Sequence, residues 1–459
     1  MSTENRSSTA SKNKENNNTT ESSSKFFHTF RALRHRNYQL FFIGQLISLS
    51  GTWMQSVAQA WLVYKLTGSA VLLGLVGFSG QIPVFLIAPF GGAFADRFNR
   101  HRILIATQSI AMILAFVLAL LMLFDSVQIW HIFVIAAGLG IVNAFDIPTR
   151  QAFVTDMVGK EDLINAIALN SSIFNGARIA GPAIAGILVA SVGEAWCFLI
   201  NAISYIAVIA GLLLMKVESN RHAAKKDESI FAGVIAGFKY VATTSPIRAL
   251  MLLLGLVSLM GMPYAVLMPI FAKEILGGGA DSLGLLMGAS GLGALIAALS
   301  LASRKGIKGL GRWVAISSAS FGISIILFSF SRSFWLSALI LIPVGFSMMT
   351  QMASSNTLVQ SLVPDELRGR VMAVYSMMFM GMAPFGAVLA GSLAEKLGAP
   401  MTVAMGGAVC ILGAIVFALR LPALKVEARK IVVALQMTGG NPANEVTAGK
   451  QVVLSSKNA

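Results

Sequence analysis

Charged side chains are scarce in this sequence. Asp, Glu, Lys and Arg account for 12% of its 459 residues, whereas an ordinary soluble domain holds roughly 25%. The mean hydropathy is correspondingly high, at +0.74. A chain of this length with so few charges cannot cover itself with polar surface in water, so most of it must face lipid. The composition therefore predicts an integral membrane protein.

Cysteine and histidine are also few. The two cysteines, Cys197 and Cys410, lie inside apolar runs, and the five histidines form no cluster with them. This usage argues against a disulfide framework and against a Cys/His metal site. No Ser/His/Asp set stands out either. We therefore predict that the chain is not an enzyme and that it carries no metal ion and no cofactor.

Long uncharged runs recur along the whole chain. A helix needs roughly 20 mostly apolar residues to cross a hydrocarbon core about 30 Å thick. The pattern predicts an all-α membrane protein with twelve transmembrane helices. The runs lie between Arg36 and Lys65, Lys65 and Asp96, Arg102 and Asp125, Asp125 and Asp146, Asp162 and Glu194, Glu194 and Lys216, Arg248 and Lys273, Asp281 and Arg304, Arg312 and Arg332, Arg332 and Asp365, Arg370 and Glu395, and Lys396 and Arg420.

The positive charges are distributed very unevenly between the two sides of these runs. The linkers at 97–102, 146–162, 216–248, 304–312 and 364–370, with the chain up to Arg36 and from Arg420 onward, hold 30 of the 35 Lys and Arg residues. Basic residues are retained on the cytoplasmic side, so both termini are expected there. The net charge of +15 is thus explained by topology and by contact with the lipid bilayer, and we predict no nucleic-acid partner.

The sequence contains an internal repeat. NSSIFNGARIAGPAIAGILVASVG, from Asn170, aligns without a gap with YSMMFMGMAPFGAVLAGSLAEKLG, from Tyr375. The fifth span thus repeats as the eleventh, which predicts two pseudo-symmetric halves of six helices, an architecture of secondary transporters. The expected divisions are a disordered cytoplasmic tail at 1–25, an N-terminal half at 26–215, a cytoplasmic linker at 216–248, a C-terminal half at 249–420 and a cytoplasmic tail at 421–459. The coinciding pairs include Ser171/Ser376, Phe174/Phe379, Gly176/Gly381, Gly181/Gly386, Gly186/Gly391 and Gly193/Gly398.

A short motif stands between the second and third spans, GGAFADRFNRHR. Its glycine Gly92 is expected to let two helices approach closely, and the carboxylate of Asp96 to complement the positive N-terminus of a neighbouring helix. The arginines that follow can pair with a nearby carboxylate. A generic basic loop is the alternative interpretation, but the Gly and Asp at these offsets disfavour it.

This motif resembles the signature loop of the major facilitator superfamily. The resemblance implies a latch between helices that stabilises the outward-facing state, made by Gly92, Asp96, Arg97 and Arg100. It also implies an acidic partner on the fourth span for one arginine, and Asp146 is the matching candidate for Arg100.

Further segments resemble the branch of that superfamily with the enterobactin exporter and the macrolide-efflux proteins. They include WLVYKLTGSAVLLGLV, NAFDIPTRQAFV and LVPDELRGRVMAVYSM. The resemblance implies a multi-pass exporter of the bacterial cytoplasmic (inner) membrane, driven by proton exchange. We expect the protein to act as a monomer on a small-molecule substrate.

One arginine lies alone inside the fifth span. Ser171, Asn175 and Arg178 share a helix face, and Arg178 lies about 20 Å along the helix, near the midplane. A charge there costs at least about 3 kcal/mol unless it meets water or a partner. We therefore expect Arg178 to face the central cavity, where it either attracts an anionic or electron-rich substrate group or serves as a structural arginine bonded to carbonyls.

The first span carries a polar stripe. Gln45, Ser48, Thr52, Gln55 and Gln59 are spaced three, four, three and four residues apart. Such a stripe faces protein or water in a membrane helix, and a cavity lining is favoured over helix–helix contact. Gln351 on the tenth span is a further candidate, for which both interpretations stay open.

The leading hypothesis is proton-coupled efflux of a small amphipathic molecule such as a siderophore or drug, with an anionic group as one option. No Asp or Glu lies in the middle of any span, so Asp146 is a candidate coupling residue beside peripheral groups such as Glu194 and His131. The alternative is a uniporter, an importer or a lipid-headgroup transporter that does not exchange protons.

Overall fold

Long helices make up nearly all of the regular structure. The computed structural model describes residues 31–159, 161–216, 230–302 and 309–437, and within these ranges every regular element is helical. A single turn at Arg31–Arg34 precedes the first long helix. The bounds are α1 Arg36–Thr67, α2 Ala70–Arg97, α3 Arg100–Leu123, α4 Ile129–Val158, α5 Leu163–Val192, α6 Glu194–Leu213, α7 Ile230–Thr243, α8 Ser245–Leu256, α9 Ala280–Ala302, α10 Leu310–Phe330, α11 Phe334–Leu362, α12 Asp365–Met380, α13 Met382–Leu397 and α14 Ala399–Met437.

Eleven segments of the described chain are long and apolar enough to cross a membrane. The helix missing from this set is α1, although its 32 residues are more than long enough at about 1.5 Å per residue. Its polar stripe lowers its hydropathy. The all-helical membrane architecture is thus confirmed, while the count of twelve crossings and the cytoplasmic position of both termini stay predictions.

The helix ends differ from the predicted linkers in three places. Helix α4 continues 12 residues beyond Asp146 to Val158, so most of the predicted loop at 146–162 is helical. Helix α7 lies inside the predicted linker at 216–248, and α14 continues past Arg420 to Met437. These segments combine charged and apolar residues, and a criterion based on charge alone ends a helix too early where charges sit on one face.

The seventh predicted span is not a regular helix. After α8 it passes through a π-helical turn at Val257–Gly261, a 3-10 turn at Met262–Ala265 and a second π-helical turn at Phe271–Ile275. Pro263 and Pro269 lie in this stretch, and each lacks the N–H that a regular helix needs. Irregular backbone at membrane depth is tolerated where protein or a water-filled cavity surrounds it. The break therefore indicates a position beside a cavity.

Glycine-to-backbone contacts hold neighbouring helices together, and they follow the internal repeat. A Cβ at Gly181 would lie 2.9 Å from the Ser50 carbonyl oxygen on α1, and one at Gly386 would lie 2.3 Å from that of Leu259 in the seventh span. Gly186 and Gly391 instead approach the second helix of the opposite half, at Ala280 and Ala70 respectively. These two pairs of glycines thus make equivalent contacts, as the repeat predicts, whereas Gly176 is open and its counterpart Gly381 meets Phe85.

Replacing Gly386 with alanine should destabilise the bundle, because the added methyl group collides with the Leu259 carbonyl. Overpacking of this kind costs about 1–3 kcal/mol. The repeat also supplies a control, since a Cβ at Gly176 meets nothing within 4 Å. We expect Gly386→Ala to lower the melting temperature of the purified protein in detergent and Gly176→Ala to leave it unchanged or slightly raised. Equal effects of the two variants would contradict this packing.

Candidate functional site

A cavity of about 450 Å³ lies among α1, α2, α3, α4, α6, α9 and the broken seventh span. We call it the central cavity. Its polar lining comes entirely from the first six helices, whereas the later helices contribute apolar groups at Ala265, Val266 and Met287. Ala265 and Val266 stand at the break that follows the 3-10 turn. The polar lining consists of Gln45, Ser48, Thr52, Gln55, Ser56, Gln59, Gln81, Gln108, Asn143, Asp146, Arg150, Asn201 and Tyr205.

The polar stripe of α1 lines the central cavity throughout its length, which confirms the predicted orientation of Gln45, Ser48, Thr52, Gln55 and Gln59. Helix geometry places these residues on one face, and packing of α1 against α5 and α6 turns that face inward. That the stripe contacts a substrate stays a prediction.

Two members of the stripe are held by α6. Asn201 Nδ2 donates to Gln55 Oε1 at 2.6 Å, and the Tyr205 hydroxyl lies 3.5 Å from Thr52 Oγ1. These bonds fix the rotamers of Gln55 and Thr52 and attach α1 to α6 on the cavity wall.

An ion pair on α4 is the charged feature of the cavity lining. Arg150 Nη2 lies 2.6 Å from Asp146 Oδ2, one helical turn away. Thr107 Oγ1 and Gln108 Nε2 lie 2.9 and 2.7 Å from the other oxygen, Oδ1. Arg150 also donates through Nη1 to Gln45 Oε1 at 2.8 Å, so it joins α4 to α1.

The two oxygens of Asp146 are held differently. The carboxylate is 1% exposed, and Oδ1 has two polar neighbours, whereas Oδ2 receives no well-aligned hydrogen bond from the described residues. Oδ2 therefore depends on the ion pair with Arg150. A proton that binds at Oδ2 must displace the guanidinium, for which Gln45 offers a second partner.

Sequence reasoning missed Arg150 as a functional residue. The charge criterion assigned it to a cytoplasmic loop, because the predicted fourth span ended at Asp146. The i, i+4 spacing of Asp146 and Arg150 was the available signal, since such pairs meet on one helix face. The other missed lining residues, Gln81, Asn143, Asn201 and Tyr205, are single polar groups in apolar runs.

The predicted pairing of Arg100 with Asp146 is wrong. Arg100 Nη1 instead lies 3.1 Å from Asp156 Oδ1, ten residues further along α4 and near the helix end that faces the loop. Asp146 lies deeper in the bundle and already pairs with Arg150.

The predicted close approach of two helices at Gly92 is also displaced by one residue. A Cβ at Gly92 meets nothing within 4 Å, whereas one at Gly91 would lie 2.1 Å from the Ala144 carbonyl oxygen. The side chain of Asp96 lies outside the described part of the chain. The latch as a whole stays a prediction.

Arg178 does not line the central cavity. Its guanidinium carbon lies 5.9 Å from the centre of the Trp53 ring, and Trp53 in turn meets Phe174 edge-on at 5.7 Å. A cation over an aromatic face gains about 0.5–2 kcal/mol, more as it becomes desolvated. The expected cavity-facing orientation is therefore wrong for this cavity, and an aromatic ring supplies the partner. A substrate role for Arg178 stays a prediction.

The remaining candidates also lie elsewhere. The Ser171 hydroxyl donates to the Ile167 carbonyl and Asn175 Nδ2 donates to the Ser171 carbonyl, so both side chains bond to their own helix. Gln351 is 1% exposed in a polar cluster of α10 and α11, where its Nε2 has no partner among the described residues. Their assignment to substrate binding stays a prediction.

The two sets of helices touch at the end of the bundle that contains the α1–α2 turn. The Tyr64 hydroxyl on α1 donates to Glu274 of the seventh span, and Lys273 Nζ lies 5.5 Å from the centre of the Tyr64 ring. Nearby, Lys65 Nζ lies 2.9 Å from Glu194 Oε1. Polar contacts thus join α1 to the seventh span at this end.

Paired helix sets around a one-sided polar cavity are the architecture of a major facilitator transporter, and not of an enzyme. The chain belongs to the family of transmembrane secretion effectors, whose family model matches residues 27–453. It is therefore a multi-pass transporter of the bacterial cytoplasmic (inner) membrane.

Curated relatives cover most of the chain. The staphyloferrin A transporter of Staphylococcus aureus is 28% identical over 84% of this chain and 97% of its own length. The multidrug efflux pump Tap of Mycolicibacterium fortuitum is 25% identical over 78% and 89%. The enterobactin exporter EntS of Salmonella typhi is 25% identical over 86% and 94%.

Solved structures support the fold. A POT family transporter in complex with 5-aminolevulinic acid aligns with a TM-score of 0.70 at 13% identity, over 85% of this chain and 96% of its own. The nucleoside transporter NupG aligns with a TM-score of 0.65 at 15% identity, over 84% and 99%. At these identities the likeness concerns the fold alone.

Removing the guanidinium of Arg150 should destabilise the protein, because Arg150→Ala leaves the Asp146 carboxylate buried without its counter-ion. Loss of one partner of a buried pair costs about 3–5 kcal/mol. The double variant Asp146→Asn/Arg150→Gln should recover part of this loss. The measurement is thermal unfolding of the purified variants in detergent.

The matched control is Arg31→Ala. Arg31 also lies 2.9 Å from a carboxylate, that of Asp162, but its side chain is 43% exposed, and exposed pairs contribute about 0–1 kcal/mol. Equal losses for the two arginines would show that the Asp146–Arg150 pair is not effectively buried.

Proposed function

We propose that this protein exports a small amphipathic molecule from the cell in exchange for protons. The observation that carries the proposal is the central cavity, whose lining combines an ion pair and polar groups with many apolar side chains. A ligand with one polar and one apolar side fits such a surface. Two of the relatives, a multidrug efflux pump and an enterobactin exporter, favour the outward direction.

Proton exchange is assigned to Asp146. An exchanger needs an ionisable group whose protonation differs between the substrate-bound and the proton-bound state. Asp146 lines the cavity and its Oδ2 depends on Arg150 alone. A proton on Oδ2 breaks the ion pair, and the guanidinium keeps the bond to Gln45 on α1 that it already makes. Proton binding therefore releases Arg150 from Asp146 while it stays attached to α1 next to the bound substrate.

The stripe of α1 supplies substrate contacts in this proposal. Gln45, Thr52, Gln55 and Gln59 line the cavity and offer amide and hydroxyl groups. Arg178 is a further candidate for substrate contact, because its charge has no carboxylate partner in the described chain.

Alternating access would break the contacts between the helix sets at the α1–α2 turn, including the bond from Tyr64 to Glu274. The proposal includes α1 as a twelfth crossing, which puts both termini on the same side, and the excess of Lys and Arg makes that side cytoplasmic. It also includes a latch at Gly92–Arg100 that acts on the same movement, and a monomer as the working unit.

The test uses inside-out membrane vesicles that contain the protein and are energised to acidify their interior. Catecholate and carboxylate siderophores, macrolides, tetracyclines and simple anions are added in turn, and a pH-sensitive dye reports proton release. Release by one compound supports the exchange. Transport of a radiolabelled compound that persists at the same rate after the gradient is collapsed would instead favour a uniporter or a lipid-headgroup transporter.

Asp146→Asn should abolish substrate-dependent proton release, because the amide cannot carry the proton, while it retains the shape of the wall. We expect at least a tenfold loss in the initial rate of release, roughly 1.4 kcal/mol or more in the transport barrier. Proton-driven transport that stayed intact in this variant would remove Asp146 as the coupling residue.

Arg178→Ala is measured in the same vesicles. Release that is lost in this variant at unchanged protein level would assign Arg178 to the substrate. Release that survives would assign its charge to the packing of α5 against Trp53.

A further inference from the structure

The carboxamides on the wall of the central cavity divide into two groups. Those of Gln59, Gln81 and Asn143 make no hydrogen bond within the described chain, although all three line the cavity. The others are engaged with neighbouring protein groups, namely Gln45 with Arg150, Gln55 with Asn201, and Gln108 with Asp146. Three separate helices, α1, α2 and α4, thus each present one free amide to the same space.

The backbone packing brings two of these amides onto one wall. A Cβ at Gly140 on α4 would lie 2.3 Å from the Gly80 carbonyl oxygen on α2, so the two helices touch there. Gln81 follows Gly80 directly, and Asn143 lies about one turn beyond Gly140. The third amide, that of Gln59, lies on the α1 stripe. The three amides are fixed to rigid helices rather than to loops, which suits the recognition of a defined group.

The charges of the lining cancel locally. The cavity lining contains one acidic and one basic residue, Asp146 and Arg150, and the 2.6 Å contact between them pairs each with the other. Arg178 is directed to the Trp53 ring, outside this lining. A charged group of a ligand would therefore lose its water without gaining a free counter-ion, which is costly. An uncharged polar group pays less for desolvation, and each free carboxamide offers it two N–H donors and one carbonyl acceptor.

We propose that Gln59, Gln81 and Asn143 form the recognition point for an uncharged hydrogen-bonding group of the substrate, such as an amide, ester or lactone carbonyl or a hydroxyl. The apolar part of the substrate lies against the apolar lining, which includes Ala265, Val266 and Met287 of the later helices. This inference rests on the proposed function and narrows its amphipathic substrate to a neutral one. Asp146 then exchanges the proton without a competing ligand charge, and Arg150 stays its counter-ion.

The test is a binding measurement on purified protein in lipid nanodiscs at neutral pH, with empty nanodiscs as the blank. Four dansyl probes share the same apolar ring and differ in the head group: dansylglycinamide carries a carboxamide, dansylglycine a carboxylate, N-(2-aminoethyl)dansylamide an ammonium group, and N-propyldansylamide only an alkyl chain. Dansyl fluorescence gives the dissociation constant of each. We expect the carboxamide probe to bind tightest, with the carboxylate and ammonium probes weaker by about tenfold or more.

Alanine variants assign the recognition to the three amides. Gln59→Ala, Gln81→Ala and Asn143→Ala should each weaken binding of the carboxamide probe by about fivefold, the effect of one hydrogen bond. They should leave the alkyl probe unchanged, whereas a collapsed cavity would weaken both probes. Gln360→Ala is the control, because Gln360 is an exposed carboxamide on α11 that bonds only to Asn356.

Three results would overturn the inference. They are carboxylate or ammonium binding as tight as carboxamide binding, equal weakening of the carboxamide and alkyl probes in the variants, and no saturable binding of any probe. Binding in nanodiscs needs neither a proton gradient nor a direction. If the probes bind in the expected order but the vesicles release no protons, proton-coupled efflux alone is overturned. If a carboxylate substrate releases protons and the carboxylate probe binds at least as tightly as the carboxamide probe, the neutral substrate alone is overturned.

Discussion

Close contact between glycine and the backbone of a neighbouring helix is the constraint on which this bundle depends. Inside a bilayer apolar side chains gain nothing by leaving lipid for protein, so helices associate through close packing and polar bonds. Gly74, Gly91, Gly140 and Gly391 each bring a helix within reach of a carbonyl oxygen on another. The approach of α2 to α4 positions the polar cavity wall, and the approach of α2 to α13 joins the two sets of helices around it.

The polar groups of the cavity have separate tasks because they are bonded differently. Asn201 and Tyr205 hold the stripe of α1 in place, while Arg150 links α4 to α1 and neutralises Asp146. Arg178, the one charge in the middle of the fifth predicted span, lies over the Trp53 ring and does not line the cavity. A cavity without net charge is compatible with the proposed proton binding at Asp146. Protonation changes the ion pair, whereas the free amides of Gln59, Gln81 and Asn143 are not bonded to it.

Much of the fold follows from the sequence. Charged residues mark the ends of the apolar runs. The repeated glycines predict the pseudo-symmetry that the contacts of Gly181 and Gly386 show. The functional site is harder to predict from the sequence. Periodicity gives the face on which Arg178 lies but not the neighbour toward which that face is rotated, and helix ends marked by charge truncate α4 before Arg150. The break at Pro263 depends on tertiary packing that supports irregular backbone, and single amides such as Gln81 carry no periodic signal. The stripe of α1 was predictable because five residues share one face.

The polar stripe also has a consequence for how the chain enters the membrane. Helix α1 precedes the other long helices of the described chain, yet it is the one whose composition falls short of the apolar spans. Its partner α6 ends at Leu213, 146 residues after α1 ends at Thr67. At about 5–20 residues per second, that partner follows roughly 7–30 s later. Until then the Gln55 amide has no Asn201 to bond, so we expect α1 to be less stable in lipid by itself than in the finished bundle.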